Sequence, residues 1–212
     1  MKSLAHRIRR FRDQEDGLVM TEFLIMLPLL IWGFIALFVY WDAFRTVNAA
    51  QKAAYSVSDL ISRQNEVDTT FINGMQTVTE YLVADSPGVR IRITSVKYKE
   101  DDDSLQVLFS RSPGDKMPRL TNSDINEPSF RDRIPLMANQ DSVVIVETEV
   151  DYIPGEWSFR KLRTKSNDPE YGRWLTIDVG IPASTFRNFV VTRPRYHNLQ
   201  VCFTGLSCPA II

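Results

Sequence analysis

The sequence predicts an α+β fold: an N-terminal transmembrane helix extended by an amphipathic helix, then a second helix and an antiparallel β-sheet. Three observations carry this expectation. FLIMLPLLIWGFIALFVYW, residues 23–41, runs nineteen residues without a charge. Two stretches with apolar residues at helical spacing follow it. Beyond residue 88 the pattern turns to alternating and continuous apolar runs bounded by turn residues. Strands that succeed helices in this way favour an antiparallel sheet with helices on one face.

The apolar run comes first. At about 1.5 Å per residue, nineteen helical residues reach about 28 Å, close to a hydrocarbon core of about 30 Å. A core helix of a soluble domain would show a polar face, and this one shows none. Pro28 and Gly33 are tolerated in membrane helices. Tyr40 and Trp41 stand where the far interface falls. Lys2, Arg7, Arg9, Arg10 and Arg12 precede Gly17 against only Asp13, Glu15 and Asp16. Lys and Arg before a span place that end in the cytoplasm. The expected organisation is therefore a basic leader (1–17), an inner-membrane helix (18–41) and an extracytoplasmic, periplasmic α+β domain (42–212). A cleaved secretory signal competes with this, with Val47-Asn48-Ala49 as its small-residue site. Its apolar core would be longer than the usual 7–15 residues.

Along the domain, Phe44, Val47, Ala50, Ala54, Val57 and Ile61 recur at steps of three and four, giving an amphipathic helix over 42–64. The small residues Ala49, Ala50, Ala53 and Ala54 allow close helix approach, either to another chain or to the domain itself. A second helix is expected over 68–85, capped by Asp68 or Thr69, with Phe71, Met75, Val78 and Leu82 as its apolar stripe. Ser86-Pro87-Gly88 ends it. VRIRITSVKY (89–98) and LQVLF (105–109) read as a hairpin. SVVIVETEVDYI (142–153) reads as the central strand, and 175–181 and 186–192 as two more. Residues 111–141, with Pro113, Pro118, Pro128 and Pro135, read as a long irregular excursion.

Little here points to chemistry. A formal net charge of −1 gives no basic field for nucleic acid. The acidic run Glu100–Asp103 lacks the spacing and glycine of a calcium loop and reads as a solvated turn. Two histidines, His6 in the leader and His197 alone, offer no zinc set. No nucleophile elbow or phosphate loop appears. The expectation is no catalytic residue, no metal, no cofactor and no small-molecule substrate. Cys202 and Cys208, an even pair outside the cytoplasm, read as a disulfide closing a loop around Gly205, worth about 2–3 kcal/mol in the chain-entropy model. Arg193 and Arg195 are either a partner patch or solvent-facing residues at a strand end.

The start of the span holds the most specific signal. In GLVMTEF, Gly17 closes the basic leader and Glu22 stands at the mouth of the apolar run, where an acid is costly. This resembles the start of type IV prepilins, which are cut after a leader glycine and carry Glu at mature position five. By that likeness Gly17 and Leu18 flank the processing site, and Glu22 is residue five. Glycine suits a protease that needs unhindered, extended backbone. Cleavage would leave a positive amine on Leu18, which Glu22 of a neighbouring subunit could offset in low dielectric. The competing reading is an acid snorkelling to the interface.

GLVMTEFLIMLPLL (17–30) further resembles the membrane start of TadE/TadG-like proteins, the pseudopilins or minor pilins of the tight-adherence (Flp pilus) system. VVTRPRYHNLQVC (190–202) and DYIP (151–154) resemble their late segments. The resemblance implies a TadE-type protein, cut by a prepilin peptidase, with partner pilins or pseudopilins and a part in pilus biogenesis and adherence. The alternative is a TadG-like scaffold that keeps its anchor uncleaved.

Overall fold

The computed structural model describes residues 18–83, 86, 88–154, 181–195 and 200–206. The elements, in chain order, are helix α1 (Leu18–Ser62), strand β1 (Glu66–Val67), helix α2 (Thr69–Leu82), strands β2 (Gly88–Lys99) and β3 (Ser104–Arg111), one-turn helices α3 (Asn122–Ile125) and α4 (Pro128–Arg131), and strands β4 (Ser142–Tyr152), β5 (Ser184–Thr192) and β6 (Cys202–Phe203). The architecture is α+β. The chain forms two compact units that divide between Asp42 and Ala43.

The first unit contains the apolar part of α1. This 45-residue helix continues through Pro28. It is long and apolar enough to cross a membrane. Its large side chains, among them Phe23, Leu24, Ile25, Leu30 and Trp32, lie exposed rather than packed in a core.

The second unit is a four-stranded antiparallel sheet ordered β3-β2-β4-β5. β2 and β4 are central, in line with their long apolar patterns. Two-residue alternation assigns each side chain to a face. On one face Ile91, Ile93, Val144 and Val146 meet Val57 and Ile61 of α1 and Ile72 and Met75 of α2. At the end where β2 begins, Ala50 and Ala53 of α1 pack with Val83, Val89 and Val150. Ala50 and Ala53 thus admit the helix closely to its own sheet. The expected stripe is shifted accordingly. Ala50, Ala53, Ala54, Val57 and Ile61 are fully buried, Val47 is only partly so, and Phe44 is 67% exposed. Phe44 has the right spacing but precedes the first turn that reaches the sheet.

α2 starts one residue later and stops three earlier than the sequence suggests. Asp68 caps it, its carboxylate accepting from the Phe71 N–H at 2.7 Å. The expected strand at 175–181 falls almost wholly outside the described residues, and Ile181 is not in a strand.

The other sheet face receives residues 112–141, and here the reading of an irregular excursion needs correction. The segment is packed and capped. Thr121 and Asp124 form a reciprocal capping box that starts α3. Ile125 is fully buried among Val96, Leu105, Val143 and Ile145, with Leu120, Phe130, Ile134 and Met137 against them. Apolar residues were there, but at single-turn spacing too short for a periodicity to register. The segment also closes the outer edge of β3. Asn126 accepts from the Leu105 N–H and donates to its carbonyl, both at 2.8 Å, and Asn122 accepts from the Val107 N–H at 2.7 Å. Two asparagines stand in for a neighbouring strand at an edge that would otherwise invite pairing.

Candidate functional site

The residues singled out at the N-terminus belong to α1. Leu18 is the first described residue of that helix. Gly17 lies outside the described residues. Glu22 follows Leu18 by four residues, about 6 Å along the axis. It is exposed, and so are Met20, Phe23 and Leu24 around it. A carboxylate amid exposed apolar side chains has no protein interior to shield it. In a bilayer it must snorkel or meet an opposite charge.

The two tail arginines are engaged within the chain. Arg195 pairs with Asp59 at 3.0 Å, and its backbone N–H donates to the Ser62 carbonyl at 2.7 Å. Ser62 is the last residue of α1, where carbonyls lack helical partners. Arg193 pairs with Asp141 at 2.9 Å. Ser58 and Thr192 join hydroxyl to hydroxyl between α1 and β5. The tail then runs parallel to β1. The Cys202 N–H donates to Asn65 at 3.0 Å, and the Thr204 N–H to Val67 at 2.9 Å. Gly205, at φ 86°, forms a turn closed by Leu206 N–H on Phe203. That positive φ at the third turn position favours glycine. Cys202 is disulfide-bonded; Cys208 lies outside the described residues. Together these contacts fasten the C-terminal end of α1 to the domain.

The acidic turn Glu100–Asp103 also serves the fold. Asp103, at φ 43°, accepts from the Tyr98 hydroxyl at 3.0 Å and pairs with Arg131. The Arg131 and Tyr98 hydrogen bonds, with the Arg131 charge, hold its carboxyl below the usual range. Among the described residues no group of three His, Cys, Asp or Glu side chains converges on a metal position. A shallow cleft of about 360 Å³ borders this turn, lined by residues such as Tyr98, Arg131 and Leu136.

A cross-strand ladder of charges, which sequence reasoning missed, covers the rest of that sheet face. Register sets Arg92 opposite Glu147, Arg90 opposite Glu149, and Glu149 opposite Arg187. The pairs close at 2.6, 3.1 and 3.1 Å. Arg90 also makes a bidentate contact with Asp151 at 2.8 and 2.9 Å. The legible signal was Arg-x-Arg in β2 against Glu-x-Glu-x-Asp in β4: opposite signs, both at period two.

Asp151 titrates under opposing influences. Burial pushes its carboxyl up, but hydrogen bonds from Arg90 and Thr185 and the Arg90 charge outweigh this and hold it low. A carboxyl depressed by folding stabilises the fold above its unfolded pKa, near 3.8, and that contribution is lost as pH falls through the lower folded value. Urea titrations should therefore show stability dropping below about pH 4. Asp151→Asn should flatten that acid limb; an unchanged limb would remove Asp151 from it.

Gly88 makes room for this carboxylate. A Cβ there would lie 2.6 Å from Asp151 Oδ2. Gly88→Ala should cost about 1–3 kcal/mol by overpacking. In an Asp151→Ala background the penalty should largely vanish, because the two changes share one contact. Equal penalties in both backgrounds would contradict the clash.

Comparison with protein families, with curated proteins and with solved structures finds no match for this chain.

Proposed function

We propose that this chain is a membrane-anchored minor pilin or pseudopilin of the TadE type. It is processed after Gly17 by a prepilin peptidase and takes part in assembling a tight-adherence pilus. In this reading the N-terminus is cytoplasmic, α1 crosses the inner membrane, and the α+β unit is periplasmic. The observation that carries the reading is α1 itself. It bears Glu22 at the head of an exposed apolar surface of membrane length.

The mechanism is physical rather than chemical. The helix holds the chain in the bilayer before assembly. Cleavage would create an amine at Leu18, and Glu22 of one subunit would pair with the amine of the next. Each charge then lowers the cost of the other in low dielectric, and the pair fixes the axial register of two helices. Partners are other pilins or pseudopilins, which meet the exposed part of α1.

Intact-mass and N-terminal peptide analysis of the protein from its native membrane tests this, with and without the prepilin peptidase. The expected result is a mature start at Leu18 that is lost without the peptidase. A start at Met1 in both strains would instead make the protein an uncleaved, TadG-like scaffold with Glu22 as an interfacial acid. A start at Ala50 would mean a secreted domain and end the filament reading.

A further inference from the structure

A second cleft, of about 170 Å³, opens between the start of α2 and the end of β3. Thr69, Ile72 and Asn73 line it from the first two turns of α2, Arg111 and residues 112–115 from the chain leaving β3, and Phe203 from β6. Arg111 stands opposite Ile93, so alternation turns it to the helix-covered face of the sheet. Its guanidinium lies 4.8 Å from the centre of the Phe203 ring, and Nη1 donates to the Ser110 carbonyl at 3.1 Å. The other arginines of the sheet, Arg90, Arg92 and Arg187, each close on an acid. Among the described residues no carboxylate pairs with Arg111. Arg119, which also lines the cleft, pairs with Asp115 at 3.2 Å. Burial, and then the charge of Arg119, push the Arg111 guanidinium below its ordinary pKa against the pull of Asp115. A half-buried cation without a counter-ion, in a cleft, is costly for a fold that pairs its other strand arginines.

We propose that this cleft receives the side-chain carboxylate of an acidic residue from a partner polypeptide, held by the Arg111 guanidinium with Thr69 and Asn73 as further donors. Arg119 and Asp115 offset one another, so Arg111 leaves the cleft with a single positive charge. Asp68, next to Thr69, is occupied in capping α2, and Lys116 pairs with Glu80 at 3.8 Å. A carboxylate supplies the one negative charge that is lacking, whereas a phosphate of charge about −2 would leave an excess. The planar guanidinium fork matches two carboxylate oxygens. Stacking on Phe203 already orders it, so little side-chain freedom is lost on binding. Ile72, Pro113 and Phe203 offer apolar wall for a methylene stem. The Thr69 and Asn73 side chains are exposed and make no hydrogen bond among the described residues. The volume is below the roughly 300–1,000 Å³ of ordinary small-molecule sites, which suits one side chain rather than a larger ligand.

The test titrates the isotope-labelled full chain in detergent micelles, at constant ionic strength, with a capped alanine–glutamate–alanine tripeptide, and separately with acetate and with inorganic phosphate. Amide NMR signals of residues 69–73 and 111–119 should shift saturably with the peptide, and acetate and phosphate should bind several-fold more weakly. Arg111→Gln should weaken the peptide at least about ten-fold, the worth of a hydrogen bond to a charged group. Asp115→Asn removes the competing acid and should tighten the peptide several-fold. Asn is tolerated at the Asp115 φ of 49°, so this second variant keeps the test independent of how Arg111→Gln folds. Signals that shift elsewhere or not at all would overturn the proposal. So would unchanged affinity in Asp115→Asn or in a folded Arg111→Gln. Phosphate binding more tightly than the peptide would mark a phosphate site, and acetate matching the peptide would mark a site for free carboxylates; either overturns the assignment.

Discussion

Glu147→Ala should destabilise the domain by about 3–5 kcal/mol, the cost of leaving one member of a buried ion pair alone. Arg92 and Glu147 are only 11% and 13% exposed and meet at 2.6 Å. Solvent screening does little for such a pair. Arg92 also donates to the Pro118 carbonyl at 2.7 Å, so the pair ties residues 112–141 to the sheet beneath them. The loss should therefore be structural as well as electrostatic, with faster hydrogen exchange in α3 and α4. The double variant Arg92→Met, Glu147→Leu should recover most of the stability, since apolar residues of similar volume often replace a buried pair at little cost. Urea unfolding of the full chain in detergent checks both. A single variant within about 0.5 kcal/mol of wild type, the range of ordinary surface changes, would show that the pair is solvated after all.

Ile61→Ala should cost about 2–5 kcal/mol, whereas Phe44→Ala should stay within about 0.5 kcal/mol. Both residues belong to the apolar stripe that the sequence suggests for α1. Ile61 is fully buried against the sheet, with Val57, Ile93 and Val146 in the same cluster, and truncation leaves a cavity there. Phe44 is 67% exposed. The contrast tests where α1 joins the domain. Comparable losses at both positions would mean that the packed stripe begins a turn and a half earlier than the structure places it.

Elements with long, regular patterns were legible in the sequence. β2 and β4 could be read from the alternation of Val89, Ile91 and Ile93 and the run at 143–146, and α2 from its cap. The stripe expected for α2 was off: Met75 is buried, but Phe71 and Val78 are half-buried and Leu82 is exposed, while Ile72 and Thr79 are buried in their place. Residues 112–141 were not, because their order comes from single-turn helices and from side chains that bond to backbone far away in sequence. Asn126 on Leu105 and Arg92 on Pro118 are invisible to any local period. The parallel pairing of β1 with β6 joins two-residue strands 136 positions apart, too short for propensity to mark. At the candidate site, the sequence located Glu22 and the membrane-length helix. It left open whether Arg193 and Arg195 face a partner. Their pairs with Asp141 and Asp59 exist only once β5 has brought the tail to the end of α1.

By itself the sequence determined the α+β class, the membrane-length apolar helix and the acid near its start, and the identity of the central strands. These follow from composition and period, which need no knowledge of distant contacts. Tertiary structure alone decided which stripe of α1 is buried, how opposite charges align into a ladder across β2, β4 and β5, and how 112–141 covers the second sheet face. Each of these depends on strand register and on residues dozens of positions apart meeting within a few ångströms, and no local pattern encodes that.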